Sequence, residues 1–229
     1  MRTVNIHGFS FQVEPEPHDY WDWIEQGLYR GDFSTIEKFS SKEVNCIDAG
    51  AWVGAQTLYA SKLYKHVYAI EPDPVAVEIL KKNLAANNVD NVTLYEGALS
   101  DHAGTIKIGS TMLGCSCTRE SCELNAVEIP CLTLRVFAKD IPDPLFIKMD
   151  VEGTESRILK DWEFFSERKP DLMLSTHLIW WKEAGSDGRP EYEVVTKVGR
   201  LYRNAMNTDG GAQANLGTEY GDVVFTDKG

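Results

Sequence analysis

The spacing of hydrophobic and polar residues changes along this chain in a way that separates strands from helices. Val4, Ile6, Phe9, Phe11 and Val13 alternate with polar residues around a break at His7-Gly8, which predicts a short hairpin. Pro15 and Pro17 end it. The aromatic and acidic stretch His18–Tyr29 reads as a helix, with Trp21 and Trp23 as packing residues. From Val44 onward, short apolar runs alternate with helical stripes. Strands are expected at Val44–Asp48, His66–Glu71, Val92–Ala98, Gly104–Gly109, Val127–Leu134, Leu145–Asp150, Pro170–His177 and Val223–Thr226. Helices are expected at Gly54–Tyr64, from Pro74 to Asn87, at Glu155–Phe165 and at Tyr192–Asn204. Asp73 is placed to cap the second of these helices and Pro74 to open it, and Val75, Ile79, Leu80 and Leu84 form its apolar face.

Strand and helix thus alternate from Val44 to Asn204. That predicts an α/β fold: a doubly wound, mostly parallel sheet with helices on both faces. Residues 44–229 form one domain on this reading, and residues 1–43 an N-terminal hairpin and helix extension packed on it.

Composition narrows the partners. A net charge of −12 disfavours a nucleic-acid backbone or an anionic membrane surface, both of which need a positive face. No apolar run reaches the length of a membrane helix, and Met1–Asn5 has no signal-peptide core. With five cysteines, an odd number, the expectation is a cytoplasmic protein with reduced thiols. Oligomeric state is not readable from the sequence.

The chemistry concentrates at strand ends. Asn45-Cys46-Ile47-Asp48-Ala49-Gly50-Ala51-Trp52-Val53-Gly54 is a strand, a glycine turn and a helix start. A dinucleotide site would use G-x-G-x-x-G spacing around a pyrophosphate. Here the spacing is Asp-x-Gly-x-x-x-Gly, and the Asp48 carboxylate would repel each pyrophosphate charge by about 2 kcal/mol at ~8 Å and an effective dielectric of ~20. The same acid suits S-adenosylmethionine, which carries an ammonium and a sulfonium. Glu71, about 20 residues on at the next strand end, is placed to accept hydrogen bonds from ribose hydroxyls. Small residues in Glu96-Gly97-Ala98-Leu99-Ser100-Asp101 leave room for a flat adenine. Lys148, Asp150 and Glu152 gather three charges where the fourth core strand leaves the sheet, which suggests a reaction centre. A short-chain dehydrogenase on the same topology is disfavoured, because no tyrosine has a lysine four residues later.

The blocks Ile47–Gly54, Ala69-Ile70-Glu71-Pro72, Glu96–Asp101 and Ile147-Lys148-Met149-Asp150-Val151-Glu152-Gly153 together resemble the FkbM family of methyltransferases, over roughly Val44 to His177. The resemblance implies the class I methyltransferase (Rossmann-like) fold, a seven-stranded sheet whose last-inserted strand is antiparallel. It also implies methylation of a hydroxyl oxygen on a small metabolite or sugar, with S-adenosylmethionine as cofactor. Asp48, Gly50 and Gly54 would line the methionine part, Glu71 the ribose, Ala98 the adenine, and Asp150 and Glu152 match the family's Asp-Val-Glu-Gly block. The chain departs from the family in two places. Cys115, Cys117, Cys122 and Cys131 occupy a region that is often Gly/Ser-rich, and Leu174-Ser175-Thr176-His177 lacks the more usual glutamate before the histidine.

An alcohol must lose a proton to accept a methyl group, so a base beside the methyl helps. His177 is the first candidate, with Asp150 or Glu152 in its place as the alternative. Asp150, Glu152 and His177 are also a possible divalent-metal set. The Cys-x-Cys-x4-Cys-x8-Cys spacing is poor for zinc. Trp180 and Trp181 are candidates for stacking on an acceptor or for packing. A non-catalytic adenosylmethionine-binding module and methyl transfer to nitrogen are the alternatives in function.

Overall fold

The computed structural model describes residues 1–16, 18–109, 123–177, 189–208 and 222–228. In chain order its elements are β1 Arg2–Ile6, β2 Phe9–Val13, α1 Tyr20–Glu25, α2 Arg30–Lys38, β3 Asn45–Ala49, α3 Ala55–Leu63, β4 His66–Glu71, α4 Pro74–Ala86, β5 Val92–Glu96, β6 Ala98–Leu99, β7 Gly104–Ile108 and β8 Val127–Leu132. They continue with α5 Leu134–Ala138, β9 Leu145–Met149, α6 Glu155–Ile158, α7 Trp162–Arg168, β10 Asp171–Leu174, α8 Arg189–Gly199, β11 Asn204–Asn207 and β12 Val223–Thr226.

Seven strands form the main sheet in the order β11-β12-β10-β9-β3-β4-β5. β10, β9, β3, β4 and β5 run parallel, and β12 lies antiparallel between β10 and β11. This is the class I methyltransferase arrangement, with its one reversed strand inserted near an edge. β1 and β2 form the expected hairpin, and β6, β8 and β7 a separate three-stranded sheet.

Alternation along the central strands feeds two cores. Cys46, Val67, Phe146, Met173 and Val224 point to one face, where they meet Val4, Ile6 and Phe11 of the hairpin, Trp21 of α1, Phe33 of α2 and Leu58 of α3. Ile47, Ile147, Leu172, Leu174 and Phe225 point to the other, against Leu134, Ile158, Phe164, Phe165, Val195 and Val198 from α5 to α8. The N-terminal segment therefore supplies much of one layer. Trp21 is buried and its indole N–H donates to Glu14 O at 2.9 Å. Trp23, expected to pack, is 39% exposed.

Several boundaries differ from those expected, each for a local reason. The third core strand stops at Glu96. At Gly97 the chain leaves the main sheet to start β6, and a side chain there would press on the Pro130 carbonyl oxygen. The helix expected over Glu155–Phe165 is two helices, because Asp161 restarts the chain as an N-cap, accepting from Phe164 N. The helix expected to reach Asn204 ends at Gly199, and Asn204–Asn207 is strand β11. α4 matches its expected caps: Asp73 accepts from Val75 N and Ala76 N. Its apolar face is turned, however, with Ala76, Val77 and Leu80 buried and Val75 exposed. Helices α2 and α5 had no counterpart in the expected pattern. Cys131 is buried in β8, whereas Cys115, Cys117, Cys122, Trp180 and Trp181 lie outside the described residues.

Phe11 is 1% exposed and lies in the same cluster as Cys46 and Phe146 of the sheet. Phe11→Ala is expected to destabilise the chain by about 3–5 kcal/mol in urea unfolding followed by circular dichroism. The loss should appear within one transition. A separate early transition for the hairpin would show that the segment does not share the core.

Candidate functional site

The site begins at the turn after β3. Gly50 sits at φ 80°, and a methyl group on it would overlap the carbonyl oxygen of Asp150, so glycine is required both by conformation and by space. The Gly50 and Ala51 N–H groups both donate to Ile70 O at 3.0 Å, which pins the turn to β4.

Beneath the turn lies a buried ion pair. Asp48 and Lys148 are register partners across β3 and β9, with side chains 2% and 3% exposed. Lys148 Nζ lies 3.2 Å from Asp48 Oδ1 and donates to Gly50 O at 2.6 Å; Asp48 Oδ2 accepts from the Thr57 hydroxyl at 2.5 Å. Burial works against the ammonium, but Asp48 and Asp150 outweigh it and the Lys148 pKa is raised. Lys148 is thus a fixed cation that holds the turn, not a proton acceptor. Asp48 and Gly54, expected at the methionine end, lie behind the wall of the cavity. Gly50 lines it.

That cavity, of about 300 Å³, opens over the carboxyl ends of β3, β4 and β9. Glu71 is buried at its rim. Its Oε2 accepts from Trp52 N at 2.6 Å and its Oε1 from Asp73 N at 2.8 Å. Burial pushes its pKa up to about 7, against the pull of those two N–H groups. Each oxygen keeps a lone pair for a ligand hydroxyl. Ala98 and Leu99 of β6, with Ile106 and Ile108 of β7, make an apolar slot beside it. The end of that slot is tied to α6, since Arg157 pairs with Asp101 at 2.8 Å and reaches Ser100 Oγ at 3.3 Å.

Asp150, Glu152 and His177 meet at the opposite end. Glu152 takes a left-handed conformation, φ 53°, followed by Gly153 at 99°. His177 Nε2 lies 3.3 Å from Asp150 Oδ1 and 3.6 Å from Glu152 Oε2, and its Nδ1 lies 2.6 Å from Glu155 Oε1. Burial alone would lower the imidazole pKa. The Glu155 hydrogen bond and the three carboxylates outweigh it and push it up to about 9. At neutral pH both ring nitrogens then carry protons, so His177 as it stands is not the ready base expected of it.

Sequence reasoning missed part of the site. Tyr20 and Tyr29 of the N-terminal segment line the cavity with Asp32 of α2 and Asp222, which precedes β12. Asp32 accepts from Gln56 Nε2 at 3.1 Å and shares a hydrogen bond with Asp222. Burial first, then the facing Asp222, pushes Asp32 up to about 8. One signal for Asp32 exists in the sequence: an acid four residues before Ile36 falls on the apolar face of a helix. Glu155, fully buried, was read only as a helix start. Among the described residues, the acids facing the cavity are Asp32, Glu71, Asp150, Glu152 and Asp222, with Lys148 and His177 as the cations.

Removing one member of the buried pair leaves the other without a counter-charge. Lys148→Met is expected to cost about 3–5 kcal/mol in chemical unfolding, and adding Asp48→Asn should recover part of that. Additive losses in the double variant would show that the two groups do not act as a pair.

The methyltransferase FkbM domain model matches residues 48–199. The ribosomal protein L11 methyltransferase of Clostridium perfringens (strain SM101 / Type A) is 40% identical over 95 residues, covering 41% of this chain and 30% of that protein. That of Acetivibrio thermocellus is 39% identical over 67 residues, 29% of this chain and 21% of that protein. The chain thus spans less than a third of the length of these curated relatives. Among solved structures, a methyltransferase FkbM from Methylobacillus flagellatus KT superposes with a TM-score of 0.53 at 18% identity, covering 84% of this chain and 47% of that one. With its reversed strand, its Gly50 turn and the matched span holding both Glu71 and the Asp150–Gly153 block, the chain belongs to the FkbM methyltransferase domain family.

Proposed function

We propose that this chain is an S-adenosylmethionine-dependent O-methyltransferase acting on a hydroxyl of a small metabolite or sugar. The observation that carries the reading is Glu71, a buried carboxylate clamped by two backbone N–H groups beside the Gly50 turn. A carboxyl group held at this rim by two N–H groups suits the two hydroxyls of a ribose. The remaining residues fit the same cofactor. Ala98, Leu99 and Ile106 offer an apolar slot for adenine, and the surplus of acids around the cavity suits a ligand with two positive charges.

When bound, the cofactor supplies an electrophilic methyl on a sulfonium. The chain's own task is alignment, because in-line transfer gains most of its rate from holding the reacting atoms in place. Lys148 fixes the turn by its bond to Gly50 O, and Glu71 fixes the ribose. Asp150 and Glu152 face the cavity as hydrogen-bond acceptors for the acceptor hydroxyl, while His177 beside them on the same wall holds both carboxylates in place. Tyr20, Tyr29, Asp32 and Gln56 supply polar groups on the remaining wall, which suits a small hydroxylated acceptor.

A second reading has one specific support. The Clostridium perfringens relative is named for a ribosomal protein, so a protein is the alternative acceptor. A radiolabelled methyl-transfer assay over hydroxylated metabolites and over protein extracts separates the two by where the label is found. No transfer to either class, with cofactor binding intact, would favour a non-catalytic binding module. Calorimetric titration should show binding of S-adenosylhomocysteine, weakened at least ~tenfold by Glu71→Ala. Unchanged affinity in that variant would end the ribose assignment.

A further inference from the structure

Three carboxylates converge on one imidazole where β9 and β10 leave the sheet. One donor atom from each of Asp150, Glu152 and His177 lies within 4.8 Å of the other two. The ring is held from behind by the 2.6 Å contact between Nδ1 and Glu155 Oε1, which aims Nε2 at Asp150 and Glu152. A carboxylate on one ring nitrogen is how proteins orient a histidine whose other nitrogen binds a metal.

Glu155 gives a second, independent observation. It is 0% exposed, its Oε1 also accepts from Val151 N and Gly153 N, and its Oε2 has no hydrogen-bond partner among the described residues. A buried carboxylate with an unsatisfied oxygen is costly unless positive charge lies close by. The local charge points the same way. Among the described residues, carboxylate oxygens of Asp150, Glu152 and Glu155 all lie against the one imidazole, and Lys148 Nζ comes no nearer than 3.8 Å to Asp150 Oδ2. A divalent cation among these atoms would place positive charge where the donor atoms of Asp150, Glu152 and His177 converge.

We infer that Asp150, Glu152 and His177 form a divalent-cation site, with two carboxylate oxygens and one imidazole nitrogen, opening on the cavity. Three protein donors leave coordination positions for water or for an acceptor hydroxyl. The mixture of nitrogen and oxygen donors suits a first-row ion such as Mn²⁺ better than Ca²⁺. The site adjoins the proposed methyl-transfer cavity but does not rest on that reading.

The test uses the intact chain, stripped with EDTA, dialysed and titrated with MnCl₂. Calorimetry and electron paramagnetic resonance should find one Mn²⁺ per chain, and spin-echo modulation should show a coupled imidazole nitrogen. Asp150→Asn and Glu152→Gln should each weaken binding at least ~tenfold, and His177→Gln should abolish the nitrogen signal. Glu78→Gln, an exposed acid on α4, should change neither. Thermal unfolding confirms that each variant is folded. Wild-type protein that binds no Mn²⁺ at millimolar concentration, or binding that survives all three site substitutions, would overturn the inference. Affinity for S-adenosylhomocysteine is measured on the same stripped protein, so failure of the metal site and failure of the cofactor reading are told apart.

Discussion

The architecture of the cavity depends on one buried ion pair. Asp48 and Lys148 sit opposite each other on the two central strands, both almost fully out of water. Bringing them there costs several kcal/mol per ion in desolvation, on the order of what a whole domain has to spare. The cost is offset by their mutual attraction at 3.2 Å and by two further bonds: Thr57 donates to the acid, and the Gly50 carbonyl accepts from the ammonium. That last bond gives the pair its structural role. It ties the turn after β3 to β9, joining two strand ends on the cavity that lie 98 residues apart in sequence.

The pair also changes where the cavity's electrostatics come from. The sequence argument rested on Asp48 as the acid that selects a cationic ligand. In the fold that charge is neutralised at its own strand position and hidden behind the wall. The preference for positive charge is carried instead by Asp32, Glu71, Asp150, Glu152 and Asp222, which do face the space. Its weight shifts with pH, because the hydrogen-bonded Asp32–Asp222 pair holds a proton in the neutral range and gives it up as pH rises past about 8.

Legibility in the sequence followed the range of the interactions. The central strands, the glycine turn, Glu71 and the Asp150–Gly153 block were readable because each rests on local rules: alternation, a required left-handed φ, an N-cap such as Asp73. The break at Gly97 and the restart at Asp161 were not, since each answers to a contact or cap that interrupts an otherwise regular apolar pattern. Asp32, Asp222 and Glu155 were missed for a related reason. Their meaning comes from partners brought together by the sheet, and an acid in a short helix reads as solvated until its neighbours are known. His177, read as a strand end, lies beyond β10 on the cavity wall, and its charge state depends on three acids that only the fold assembles.

On the proposed reading, this division has a functional consequence. The cofactor end of the cavity is built from strand ends inside the matched span, 48–199: the Gly50 turn, Glu71 and Ala98. The opposite wall draws on Tyr20, Tyr29 and Asp32 from the N-terminal segment and on Asp222 from the approach to β12, all outside that span. Cofactor geometry has to be met by backbone turns, which tolerate few residues at Gly50. Acceptor recognition needs only side chains of suitable size and polarity on a helix already anchored by Phe33 and Ile36. That wall can therefore change without disturbing the Gly50 turn, while Asp150, Glu152 and His177 on the acceptor side stay inside the matched span.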